Sequence, residues 1–152
     1  MHIVLVEPEI PGNTGNIARL CAATGASLHL VKPLGFSIED RYLKRAGLDY
    51  WHLVDVTCHE NFQEVAETLA GHTFYFNTTK AEKRHSDVHY RAGDVLVFGR
   101  ETAGLPQALL ERNRDTCIRI PMQEDARSLN LSNAVAVVVY EALRQLEFPQ
   151  LR

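Results

Sequence analysis

The sequence predicts an α/β fold in which a mostly parallel sheet is flanked by helices. Short β-branched runs alternate with stretches of helical period along the whole chain. That alternation is the pattern of strand–helix–strand units with parallel strands. The loops that follow the strands hold most of the unusual polar and glycine content. An open α/β sheet binds ligands in that place, outside the carboxyl ends of its strands. The length of 152 residues fits a single domain over residues 1–152, large enough to bury about 68–70% of its unfolded surface.

Each element has its own warrant. His2–Val6 (HIVLV) is an apolar, β-branched run closed by Pro8, Pro11 and Gly12, and is expected to be a buried strand. Asn13 or Thr14 can cap the next helix, in which Ile17, Leu20, Cys21 and Thr24 share one face. Gly25 suits the left-handed residue that ends it. Ser27–Val31 (SLHLV) is a second strand. Ser37 and Asp40 resemble a capping box that opens a short basic helix through Arg45, with Gly47 as its stop. Leu53–Val56 is a candidate short strand. Asn61 caps a helix whose face carries Phe62, Val65, Ala66 and Leu69, ended by Gly71. Thr73–Asn77 is a strand, and Thr78–Arg91 is polar enough to be a loop. Asp94–Phe98 (DVLVF) is a strong strand that runs straight into GRETAGLP. A short helix from Pro106 to about Asn113, a strand at Thr116–Ile120 and a long loop at Pro121–Leu129 follow. The last element has a Val-rich centre, but Leu131, Val135, Val138, Val139, Ala142, Leu143 and Leu146 fall on one helical stripe, so it is assigned as helix.

Composition narrows the function. Lys and Arg number 16 against 19 Asp and Glu, a formal net charge of -3, which excludes a wholesale basic nucleic-acid binder but not local patches. Such patches occur at Arg41, Lys44 and Arg45, at Lys80, Lys83 and Arg84, and at Arg112 and Arg114. Cys21, Cys58 and Cys117 are an odd count with no CxxC pair. With no basic, apolar leader at the N-terminus, they point to a reducing, cytoplasmic setting. The apolar run Ala134–Val139 is far too short to span a bilayer. The seven histidines are scattered, with only His85 and His89 four apart, so no metal site is expected. No GxSxG elbow is present, and adjacent Cys58 and His59 do not make a nucleophile–base pair.

Three loops carry candidate chemistry. Asn13-Thr-Gly-Asn-Ile-Ala-Arg19 presents backbone N–H groups at a helix start, which favours anions, and the forked donors of Arg19 could hold a phosphate or ribose hydroxyl. Its glycine spacing matches neither GxGxxG nor a Walker A loop, and an ordinary capped helix with a surface Arg accounts for it too. In Phe98-Gly-Arg-Glu-Thr-Ala-Gly-Leu-Pro106, Gly99 allows a ligand to approach the backbone and Glu101 offers an acceptor; a plain strand–helix connection is the alternative. Ser128-Leu-Asn-Leu-Ser-Asn133 holds more polar side chains than one helix cap needs, and suits an adenosine or ribose. Capping with an Asx turn would also explain it. From the residues alone, the chain is a nucleotide-binding α/β protein.

Taken together, NTGNIARLCAATG (Asn13–Gly25), LDYW (Leu48–Trp51), FGRETAGLP (Phe98–Pro106) and IPMQEDARSLNLSNAVAVVVYEA (Ile120–Ala142) resemble the SPOUT superfamily of RNA methyltransferases. The likeness is greatest to the small bacterial tRNA (cytidine/uridine) 2'-O-methyltransferases that act on the wobble nucleotide, position 34. It covers His2 to about Phe148, and is specific jointly rather than motif by motif. Gly12 stands where related chains often have a second Pro, and Arg100 where a small residue or Pro is frequent.

The resemblance implies a C-terminal deep trefoil knot, which a physical prior would reject because knots are nearly absent from proteins. It implies S-adenosylmethionine as methyl donor, with S-adenosylhomocysteine as product and no metal. Asn77, Gly99, Ile120 and Ser128 should line the donor pocket, with Leu129 and Leu131 nearby. The expected partners are tRNA and a second copy of the chain, each site being completed across the homodimer, with no membrane. Arg19 should lie at the ribose 2'-hydroxyl, from the opposite protomer. Glu101 should orient Arg19 or the donor, and Asn13 and Asn133 should support the site. Tyr140 is placed for substrate, for the dimer contact or equally for the core. Methylation of a different RNA, or a knotted nucleotide- or RNA-binding module without activity, stays open beside the leading reading; intact Arg19, Glu101 and SLNLSN argue against loss of activity.

Overall fold

The structure is a computed structural model that describes residues 1–39, 41, 45 and 50–152. Asp40, Lys44, Gly47, Leu48 and Asp49 lie outside the described residues, and with them part of the expected capping box, the stop of the short basic helix and half of LDYW.

Among the described residues six parallel strands make one sheet, in the order β3-β2-β1-β5-β4-β6. They are β1 (His2–Val6), β2 (Ser27–Val31), β3 (Val56–His59), β4 (Phe74–Asn77), β5 (Val95–Phe98) and β6 (Cys117–Ile118). The helices whose bounds lie among the described residues are α1 (Pro11–Thr24), α2 (Phe62–Thr68), α3 (Gln107–Arg112) and α4 (Leu131–Gln145), with a 3-10 turn at Arg114–Thr116; Arg41, Arg45, Tyr50 and Trp51 are helical as well. The fold class expected from the alternation is thus present.

The alternation of side chains along each strand divides the core. Ile3 and Leu5 of β1, Leu28 and Leu30 of β2, and Leu96 and Phe98 of β5 face one side, against Ile17, Ala18, Val135, Val138, Val139 and Ala142 of α1 and α4. Val4, Val6, Val31, Val95 and Val97 face the other, against Val65 of α2 and Leu110 of α3. Both faces are covered, which is why the central strands are apolar without interruption.

Several expectations are corrected in detail. Helix α1 begins at Pro11, with Ile10 as its N-cap and no side chain of its own capping it, so Asn13 and Thr14 lie inside the first turn, both buried. Proline at the first helical position needs no N–H partner and has its φ preset, and it moves the start upstream. Gly25 does close the helix in the left-handed region, at φ 73°. The third strand is Val56–His59 rather than Leu53–Val56: pairing with Leu28–Val31 sets its register, and Leu53 stays in solvent, 63% exposed. The strand expected at Thr116–Ile120 shortens to Cys117–Ile118, because Arg119 bridges Arg84 outside the sheet. The Asn61 cap holds, accepting from the Glu64 N–H at 3.0 Å, and α4 is a helix as its stripe requires.

The histidines are less scattered than their spacing suggested. His2 Nδ1 lies 3.1 Å from His29 Nε2, and His29 Nδ1 lies 3.0 Å from His59 Nε2, a hydrogen-bonded row across β1, β2 and β3. Parallel pairing sets distant positions side by side, which sequence spacing cannot reveal.

Candidate active site

Sheet order places β1 and β5 next to each other, and their outgoing loops meet at the carboxyl edge. Glu101, in the loop after β5, fastens them. Its Oε2 accepts from the Glu9 N–H at 2.8 Å, and its Oε1 accepts from the Ile10 N–H at 3.0 Å and from Asn13 Nδ2 at 3.3 Å. A carboxylate therefore sits at the open N-terminus of α1, where the free N–H groups and the helix dipole favour negative charge. Thr102 Oγ1 adds a bond to Glu9 Oε1 at 2.7 Å, and Arg100 Nε lies 3.4 Å from Glu7 Oε2.

A third loop joins through Asn130, which sequence reasoning missed. Asn130 Nδ2 donates to Asn13 Oδ1 at 3.0 Å. Its Oδ1 accepts from the Ser132 N–H at 3.0 Å, from Ser132 Oγ at 2.7 Å and from the Asn133 N–H at 3.4 Å, capping α4. Glu101, Asn13 and Asn130 thus form one chain that ties the starts of α1 and α4 to the β5 loop. The clue lay in the motif: Asn130 is the residue before the apolar stripe, where an N-cap belongs.

Between these loops lies an open cleft of about 520 Å³. Asn77, Gly99, Ile120, Ser128, Leu129 and Leu131 all line it, as do Asn13 and Glu101. The structure therefore brings together every expected donor-binding residue. Asn77 Oδ1, at the end of β4, is buried without a hydrogen-bond partner; a buried acceptor left this way calls for a donor group. Gly99 lies so close to the loop's return that a side-chain carbon there would overlap backbone atoms of Gly104 and Leu105. Gly104 turns the loop at φ 67°, and its N–H returns to the Arg100 carbonyl at 2.9 Å.

Arg19 and Asn133 are not on the cleft wall. Arg19 is exposed on α1, with its guanidinium carbon 5.0 Å above the centre of the Tyr50 ring. Glu101 bonds the α1 entrance instead of Arg19. Asn133 is exposed on α4, in line with Val137 (40% exposed) and Tyr140 (45%). Tyr140 thus points away from the core, and these residues border the same helix pair as Arg19.

Comparisons with known proteins point to one family. A family model described as the SpoU rRNA Methylase family matches residues 1–140. The tRNA (cytidine(34)-2'-O)-methyltransferase of Methylovorus glucosotrophus is 54% identical over 147 residues, 96% of each chain. A solved structure reported as giving insight into 2-OH methylation of C/U34 on tRNA shares 46% identity with a TM-score of 0.92, over 96% of this chain and 95% of that one. The SpoU methyltransferase AviRb of Streptomyces viridochromogenes, solved with AdoMet, shares 27% identity and a TM-score of 0.86, over 97% of this chain and 60% of that one.

Proposed function

The chain belongs to the SpoU rRNA methylase family, and on that premise we propose that it methylates the ribose 2'-hydroxyl of the wobble pyrimidine, position 34, of tRNA, with S-adenosylmethionine as donor. The observation that carries this reading is 54% identity across 96% of the chain to a relative named for that reaction. Residues 1–152 act as one methyltransferase domain, working on tRNA in the cytoplasm. No helix among the described residues is long and apolar enough to cross a membrane.

The cleft fits the donor. Asn77 Oδ1 is an acceptor in need of an amino group, which an adenine or an α-amino group supplies. Ile120, Leu129 and Leu131 give apolar walls, and Gly99 with Ser128 brings backbone close to the ligand. When bound, the donor supplies an electrophilic methyl carbon on sulfonium. What the chain must do is hold the acceptor oxygen in line with that carbon and let its proton leave.

Arg19 is the residue for the acceptor. A guanidinium stays protonated, so Arg19 orients the ribose and its phosphate rather than taking the proton, which passes to a phosphate oxygen or water. In a single chain Arg19 stands apart from the cleft wall. The active unit is therefore a homodimer in which Arg19 enters the partner's site. The exposed Val137 and Tyr140 on α4, beside α1, supply an apolar face for that contact. Glu101, Asn13 and Asn130 are positioning residues that set the α1 entrance, and Asn133 lies on the dimer face. The segment from Pro121 through α4 is threaded past the Gly99–Pro106 loop as a trefoil knot, a reading that membership of the family supports.

Nucleoside mass spectrometry of tRNA from a strain lacking the gene, with and without its return, tests the reaction. The 2'-O-methyl pyrimidine at position 34 should vanish and then reappear. Persistence of the mark in the deletion strain would refute the substrate.

A further inference from the structure

Four cations among the described residues pair with carboxylates: Lys32 with Glu60, Arg84 with Asp87, Arg100 with Glu7 and Arg144 with Glu141. Lys80 and Lys83 instead donate to neutral oxygens. Lys80 Nζ donates to the amide oxygen of Gln107 at 3.4 Å, and Lys83 Nζ to the backbone carbonyl of Asp115 at 2.7 Å. Neither these two nor Arg114 has a salt bridge among the described residues. All three border a second pocket of about 380 Å³, which shares Thr78, Lys80 and Leu110 with the donor cleft.

The floor of that pocket is apolar, formed by buried Ala81, Leu110 and Cys117. Burial pushes the Cys117 thiol up, so it stays protonated and uncharged at neutral pH. Its rim mixes the cations with Gln107 and the carboxylates of Glu82, Glu111 and Asp115. A purely anionic ligand would be repelled by half of that rim. A nucleotide satisfies both halves: phosphate oxygens accept from Lys and Arg, and the amino and imino groups of a base edge donate to amide and carboxylate oxygens. Single-stranded RNA is recognised through bases splayed out of the stack in this way.

We propose that this pocket is a second nucleotide subsite, which takes the single-stranded RNA nucleotide next to the methylated one, with its base against Ala81, Leu110 and Cys117 and its phosphate on Lys83 and Arg114. The proposal rests on the reading of tRNA as substrate. It turns a chain of net charge -3 into an RNA binder through a local track, one wall of which is the donor cleft itself.

The double variant Lys83→Ala/Arg114→Ala tests it, beside Lys32→Ala as a control on a paired cation that lines neither pocket. Binding of unmodified tRNA is measured over a salt series, with donor binding by calorimetry and methyl transfer at saturating donor. Freeing one single-strand phosphate of its two cations should flatten the plot of log affinity against log salt by about 0.7. KM for tRNA should rise about tenfold while kcat and donor affinity hold. Arg114→Glu alone, at a side chain without a salt bridge, should weaken tRNA binding if the double variant fails to fold. A 4-thiouridine placed beside position 34 should crosslink within residues 78–83 or 107–117. Unchanged salt slope and KM, or crosslinks confined to other segments, would overturn the subsite. The slope needs no turnover, so it decides the subsite even if methyl transfer itself were absent, an outcome that would refute the proposed reaction instead.

Discussion

Glu101 shows how one side chain can fasten two loops to the start of a helix. Its two oxygens receive the N–H groups of Glu9 and Ile10 and the amide of Asn13, so they do in trans what an N-cap does in cis. Bonds to a charged acceptor contribute about 1.5–3 kcal/mol when buried, and this cluster is partly exposed. Glu101→Ala should therefore lower the unfolding free energy by about 1–2 kcal/mol, read as a lower urea midpoint. It should also weaken donor binding, because Asn13 loses its anchor and Asn130 loses a fixed partner. A variant with unchanged midpoint and donor affinity would remove Glu101 from this role. Glu101, Asn13 and the other residues that line the cleft were visible in the sequence as a group, because most stand in polar, glycine-bearing loops after strands. Asn130 was passed over for Asn133, since both stand in SLNLSN. Only the tie to Asn13, 117 positions away in the chain, tells them apart.

At the scale of elements, the histidine row is the feature with a measurable cost. His29 is 5% exposed. Burial first, then the neighbouring His2 and His59, pulls its pKa down from 6.5 to about 4; burial also lowers His2 and His59. The unfolded chain binds protons on these groups at a higher pH than the folded one does. Stability is therefore complete above pH 6.5 and declines as pH falls from there toward 4, on the order of 3 kcal/mol for His29. Urea midpoints measured across that interval should show the decline, and His29→Leu should flatten it. An equal slope in the variant would place the effect elsewhere. Local pattern made β1, β2, β5, α2 and α4 legible, because β-branched runs, a capping Asn and a stripe of helical period are short-range facts. The ends that moved were decided by distant partners: β3 by its pairing with β2, β6 by the bridge from Arg119 to Arg84, and the start of α1 by Pro11 with Glu101. The histidine row itself needed the strand order before it could be seen.

At the scale of the molecule, the separation of Arg19 from the cleft is the fact that asks for a second copy. The cleft collects Asn13, Asn77, Gly99, Glu101, Ile120, Ser128, Leu129 and Leu131 from one chain, yet Arg19, the cation proposed for the acceptor ribose, is exposed on α1 and off the cleft wall. If Arg19 works across a homodimer, two inactive variants should rescue each other. Arg19→Ala keeps an intact cleft and should bind donor normally while losing methyl transfer. Ser128→Trp, at an exposed position on the cleft wall, blocks the donor but keeps Arg19. Refolded together in equal amounts they form mixed dimers, each with one complete composite site, and should recover about a quarter of the natural activity. With Arg19 acting within its own chain, the mixed dimer has no complete site and the mixture stays silent. Tyr140→Glu, which puts charge on the apolar face, should yield a monomer by sedimentation and abolish transfer. A fully active monomer would show that the site needs no partner.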